Sequence, residues 1–170
     1  MHANFKFIST IFTITFLLLI FGSKVAKAQT VETWQWEDLD EVIKANNDTL
    51  YIINFWATWC KPCVEELPYF EEVTEKYEGK NVKVILVSLD FSKQVETKLI
   101  PFVAQNNLSS RVVYFNEPNY NSWINKVSDE WSGSIPATLF VQNDYFEFCE
   151  QDFDFEELQE KIDNNLNIKK

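Results

Sequence analysis

Residues 56–63 read WATWCKPC: two cysteines separated by a lysine-proline pair and preceded by two tryptophans. The flanks decide what that spacing means. Upstream, TLYIINFWA (49–57) is a near-continuous apolar run of strand length, the pattern of a strand buried on both faces. Downstream, from Pro62 to Tyr77, the apolar residues Val64, Leu67, Phe70, Val73 and Tyr77 follow helical spacing, and Gly79 suits the helix C-terminus. Cys60 therefore stands where a buried strand gives way to a helix.

Several chemistries use a Cys-x-x-Cys. Haem attachment needs a histidine directly after the second cysteine, and Val64 is there instead. Zinc takes about four ligands. The one histidine is His2, at the extreme N-terminus, so a zinc site has to be completed by Cys149 and carboxylates. A structural disulfide gains stability with the length of the loop it closes, and this loop is very short. The pattern thus favours a redox dithiol over a staple, and no metal or cofactor is expected. Backbone N–H groups at a helix start and the helix dipole both favour negative charge there. Proline suits the first turn, having no N–H to leave unpaired. Cys60 is then expected to be the exposed nucleophile, and Cys63, one turn in, the more buried resolving thiol. Lys61 adds a solvated and therefore weak positive charge.

Outward from the dithiol, strands and helices alternate. Trp34 and Trp36 form a short aromatic stretch before a helix carrying Leu39, Val42 and Ile43. VKVILVSLD (82–90) is a second buried strand. SKQVETKLIPFVAQNN (92–107) predicts a helix opened by Ser92 and kinked at Pro101. RVVYFN (111–116) is a shorter strand, and 117–131 a short helix plus loop. Strands at 137–141 and 145–149 flank Asn143-Asp144, a hairpin turn. Residues 154–166 close the chain as an amphipathic helix with Asp154 as cap and Glu157 three residues on. This order predicts an α/β fold, a central mixed β-sheet flanked by helices.

The chain has 170 residues, the size of one domain plus a processing segment. Lys6 is the sole lysine or acidic residue before the apolar run Ile8–Phe21, and Ala26-Lys27-Ala28 fits a signal peptidase site. We expect a signal peptide over 1–28 and a domain over 29–170. The apolar run is short against the ~20 residues of a bilayer span, yet an uncleaved anchor through residues 8–21 is the second reading. No cysteine lies in residues 1–59, which excludes lipid attachment there. Without residues 1–28 the chain carries 12 basic and 26 acidic residues, a formal charge of −14. Such a chain is not a nucleic-acid binder, nor one for anionic membrane surfaces. Export implies a periplasmic or secreted location in which disulfides persist. The cysteines number three, and Cys149 is expected to be a buried, inert free thiol.

The stretch FWATWCKPC resembles the active site of thioredoxin-like proteins, and WCKPCVEELPYF is closer still to the exported, membrane-associated TlpA/ResA-like thiol-disulfide oxidoreductases. The resemblance extends to GSIPATLF (133–140), where Ile135-Pro136 matches the family's cis-proline, and spans roughly residues 34–166. It implies a thioredoxin-like fold and disulfide exchange with protein thiols or disulfides, with Trp59, Ile135 and Pro136 contacting the substrate. Glu66 matches an acidic residue placed after the second cysteine; on a helix it shares the face of Cys63 and is suited to handle its proton. Pro68 matches a helix proline, and Asn54 replaces the buried aspartate of cytosolic thioredoxin. Trp56 and Trp59 are expected to shield the dithiol. Trp123 and Trp131, in a segment minimal thioredoxins lack, are candidates for a partner surface near Pro136, or for packing. The family further implies a membrane electron donor and action as a reductant. With Lys61-Pro62 between the cysteines and Glu65 and Glu66 close by, we expect a potential below roughly −195 mV, the lower half of the range from thioredoxin to a strong oxidant, and a monomer. The competing readings are a disulfide oxidase, a thiol peroxidase and a non-enzymatic binding module. The peroxidase pattern Thr-x-x-Cys is missing, since Ala57 stands three before Cys60.

Overall fold

The computed structural model describes residues 30–168. The expected leader, with its cleavage after Ala28, lies outside the described residues. Six strands form one sheet: β1 (Glu32–Trp34), β2 (Leu50–Trp56), β3 (Val82–Ser88), β4 (Arg111–Phe115), β5 (Ala137–Gln142) and β6 (Tyr145–Cys149), in the order β1-β4-β3-β2-β5-β6. The first four in that order are mutually parallel, while β5 runs antiparallel to β2 and β6 antiparallel to β5. The helices are α1 (Trp36–Ile43), α2 (Lys61–Lys76), α3 (Ile100–Gln105), α4 (Ile124–Val127) and α5 (Phe155–Ile168). This is the mixed α/β arrangement that the alternating pattern predicts.

β2 is central, and its side chains alternate between two cores. Ile52 and Trp56 enter one core with Leu67, Phe70 and Val73 of α2 and Leu158 and Ile162 of α5. Ile53 and Phe55 enter the other with Leu39, Val87, Val113 and Leu139. Both faces being covered is why the strand reads as an unbroken apolar run. Phe70 is fully buried, and truncating such a side chain to alanine costs about 3–5 kcal/mol. α5 is tied to α2 by Tyr77, whose hydroxyl donates to Asp163 Oδ1 at 2.7 Å.

Several local expectations hold. Gln142 pairs with Tyr145, so Asn143-Asp144 is a two-residue hairpin loop, and Asn143 takes φ 51°. Asp154 Oδ1 accepts from the Glu157 N–H at 2.9 Å, and the Asp154 N–H donates back to Glu157 Oε2 at 3.1 Å, a complete capping box. Gly79, at φ 76°, turns the chain after α2.

Others are corrected. The helix expected over 92–107 is a 3-10 turn (Ser92–Gln94), a π-helical turn (Val95–Leu99) and then α3. Pro101 has no N–H to donate to Thr97, so the turn before it widens rather than bends. Trp123 and Trp131 are not a partner surface. They lie 1% and 4% exposed, stacked and tilted against Phe55 and edge-on to each other. Their indole N–H groups donate to the carbonyls of Glu117 and Ser134 at 3.1 and 2.8 Å, which lets these large rings bury without an orphaned donor.

Candidate active site

The sheet ends β2 at Trp56, and a tight turn follows in which the Cys60 N–H donates to the Ala57 carbonyl at 3.1 Å. Cys60 is the N-cap of α2. Its sulfur accepts from the Cys63 N–H at 3.3 Å while its carbonyl accepts from the Val64 N–H at 3.0 Å. Cys60 and Cys63 are joined as a disulfide. Cys60 is 6% exposed and Cys63 is fully covered. Cys60 is thus buried rather than exposed as expected, though it is the less covered residue of the pair. Its Sγ lies 3.7 Å from the Ile135 carbonyl oxygen. The Ile135-Pro136 peptide bond is cis, as the resemblance implies. Ile135, Pro136 and Cys60 thus come together from opposite ends of the sequence because β2 and β5 are paired neighbours.

Glu66 is buried, not solvated, at 2% exposure. Asn54 Nδ2 donates to its Oε1 at 2.8 Å and the Phe153 N–H to its Oε2 at 2.9 Å; Asn54 Nδ2 also reaches Thr138 Oγ1 at 3.1 Å. Burial pushes the Glu66 carboxyl up to about 7; the two donors oppose that rise and the charge of Asp152 adds to it. A surface cavity of about 450 Å³ is bounded by Pro62, Glu65, Glu66, Tyr69, Asp152 and Phe153. Pro68 lies inside α2, where it leaves the Val64 carbonyl without an i+4 donor.

Lys61 is paired with Glu65 at 2.6 Å, both exposed to solvent. Trp56 is fully buried in the core. Trp59 is half exposed and stacks on Phe91, ring centroids 5.8 Å apart at 18°. Cys149 departs from the expectation. It is half-buried on the edge strand β6, its sulfur 4.0 Å from Glu147 Oε1, and burial pushes its thiol up.

Asp90 and Phe91 were not singled out in the sequence. The buried Asp90 carboxylate accepts from the Thr58 N–H (3.0 Å), the Thr58 hydroxyl (2.5 Å) and the Ser88 hydroxyl (2.8 Å), fixing the turn that carries Cys60. The only signal for it was an acidic residue closing an otherwise apolar strand.

The profile of the AhpC/TSA family matches residues 24–145. The thiol-disulfide oxidoreductase ResA of Oceanobacillus iheyensis is 43% identical over 92 residues, 54% of this chain and 43% of that protein. Sporulation thiol-disulfide oxidoreductase A of Bacillus subtilis is 30% identical over 74 residues, 44% of this chain and 45% of that protein. The matched stretches span less than half the length of these curated relatives. Among solved structures, a thioredoxin-related protein from Neisseria meningitidis serogroup B superposes with a TM-score of 0.60 at 20% identity, covering 71% of this chain and 87% of that one. StoA from Bacillus subtilis superposes with a TM-score of 0.55 at 23% identity, covering 68% and 83%. The fold is thioredoxin-like.

Proposed function

Since the chain belongs to the AhpC/TSA family, with thiol-disulfide oxidoreductases among its relatives, we propose that it is an exported thiol-disulfide oxidoreductase that reduces protein disulfides through Cys60 and Cys63. The observation that carries the reading is the disulfide at the N-terminus of α2, with Cys60 the less covered of its two residues. The Cys60 thiolate attacks a substrate disulfide, forming a mixed disulfide and releasing one substrate thiolate. The Cys63 thiolate then attacks Cys60 Sγ, closes the Cys60–Cys63 bond and releases the second. Two electrons pass to the substrate, and the two thiol protons end on the substrate sulfurs. The state described here is the oxidised product, which a thiol donor returns to the dithiol.

Each residue has a role in this scheme. Trp59, Ile135 and Pro136 lie beside Cys60 and receive the substrate. Glu66 takes up the Cys63 proton, its carboxyl held near neutrality by burial. Reduction is the favoured direction because the support for a Cys60 thiolate is confined to the start of α2, where the Cys63 N–H donates to its sulfur. Lys61 is solvated and paired with Glu65, and the Asp90 carboxylate accepts from the Thr58 N–H two residues before Cys60. A strong oxidant has the opposite character, a reduced form stabilised as thiolate. Export through residues 1–28, a domain from residue 29, action as a monomer and a membrane-bound donor complete the proposal. Among the described residues no helix is long and apolar enough to cross a membrane.

Redox titration against glutathione or dithiothreitol, together with cysteine variants, tests the scheme. The potential is expected below roughly −195 mV. Cys60→Ser abolishes exchange, and Cys63→Ser accumulates mixed disulfides through Cys60. A potential near about −120 mV with fast oxidation of a reduced unfolded protein indicates an oxidase instead. Equal trapping by both variants reverses the assigned order, and rapid peroxide consumption moves the activity to a thiol peroxidase.

A further inference from the structure

Among the described residues five large apolar side chains are exposed, and three of them gather at one place: Trp59 (52%), Phe91 (58%) and Tyr120 (41%). Scattered exposed apolar residues need no explanation, but a contiguous group beside a reactive centre does. Trp59 and Phe91 stack nearly parallel. Behind them opens a crevice of about 510 Å³ at the C-terminal ends of the parallel strands β3 and β4, where open α/β sheets take their ligands. Leu89, Phe91, Tyr114 and Tyr120 give it apolar walls, and Lys93 and Glu117 stand at its polar margin.

The crevice is preformed. Asp90, in its lining, is held by Thr58 and Ser88. Glu117 is fixed twice: its Oε1 accepts from the Trp36 N–H at 3.0 Å, and its carbonyl accepts from Trp123 Nε1 at 3.1 Å. It is also joined to the dithiol by two contacts, Thr58 to Asp90 and Trp59 to Phe91, and each of those partners lies within two residues of Cys60.

We propose that this crevice receives an apolar side chain flanking the reactive cysteine of a polypeptide substrate, and that Phe91 sets that preference. The inference rests on the exchange reading of the dithiol. A mixed disulfide holds the partner sulfur about 2 Å from Cys60 Sγ. The residues on either side of the partner cysteine advance about 3.5 Å each, so a neighbour one to three positions away passes over Trp59 and reaches Phe91. An aromatic or aliphatic side chain there covers rings that otherwise face water, and the gap behind Phe91 gives it depth. Ring-on-ring contact of this kind is worth about threefold to tenfold in affinity.

The test uses short peptides carrying one cysteine as a glutathione mixed disulfide, identical except for phenylalanine or serine beside the cysteine. Reduced wild-type protein is expected to favour the phenylalanine peptide by about threefold to tenfold in kcat/KM, carried by KM. Phe91→Ser brings that ratio to about one, and Phe91→Leu retains most of it. Equal treatment of the two peptides by wild type, or a preference that survives Phe91→Ser, overturns the proposal. Hydroxyethyl disulfide is the control on the underlying reading: if wild type fails to reduce it, the exchange reading falls alone. The crevice is then judged by NMR titration with the phenylalanine peptide whose cysteine is serine. Shifts at Trp59, Phe91 and Tyr120 sustain the pocket, and their absence overturns it. A concentration-dependent dimer that covers these three residues in the free protein overturns it as well.

Discussion

Burial of Glu66 raises its folded-state value from 4.5 to about 7, so the folded protein holds this proton more tightly than the unfolded chain does. The stability it contributes is therefore full below about pH 4.5 and is lost as the pH rises to about 7. The rise corresponds to about 3 kcal/mol over that interval. Glu66→Gln has no proton to lose, so its stability should not show this fall, and the gap between variant and wild type should swing in the variant's favour by up to about 3 kcal/mol. Urea unfolding at pH 4.5 and pH 8 checks it. The same substitution should flatten the pH dependence of exchange near neutrality without unfolding the protein. An unchanged exchange profile would leave Glu66 as packing alone. The sequence placed Glu66 on the Cys63 face but left its burial open, because that depends on the Phe153 N–H and on Asn54, which arrive from distant segments.

The elements themselves were legible wherever a residue's local chemistry acts within a few positions. The Asp154–Glu157 box is of that kind, and it opens the helix that covers α2 and Glu66's neighbour Phe153. Asp154→Ala should cost about 1 kcal/mol, the usual loss for an N-cap, read as a lower urea midpoint with an unchanged slope. The central strands were legible too, since their burial on both faces leaves an unbroken apolar run. β1 was not, because three residues carry no periodicity. The widened turn over Val95–Leu99 was hidden for a different reason: Pro101 announces a disturbed helix without saying whether the chain bends or loosens. Trp123 and Trp131 show the limit most clearly. A large ring in a loop-rich insertion is equally suited to a surface or a core, and only the partner carbonyls of Glu117 and Ser134 make the core affordable.

At the scale of the whole molecule, one sheet separates two apolar cores, and the dithiol sits where the central strand leaves it. Acidic side chains dominate the outside, in keeping with a formal charge of −11 for the full chain. The half-buried Cys149 lies on the far edge strand, so Cys149→Ser is expected to leave exchange nearly unchanged. Trp59, alone among the tryptophans, is exposed, while the rest are buried or half-buried. Its placement gives the protein an optical readout of its own state. A water-facing indole emits to the red of buried ones, and an adjacent disulfide drains its excited state by accepting an electron. Opening the Cys60–Cys63 bond with dithiothreitol should therefore brighten the long-wavelength edge of the emission spectrum, and Trp59→Phe should abolish that change. A spectrum indifferent to the reductant would mean that the ring and the sulfurs are not in electronic contact. If the brightening is there, stopped-flow fluorescence can follow each turnover on the unlabelled protein.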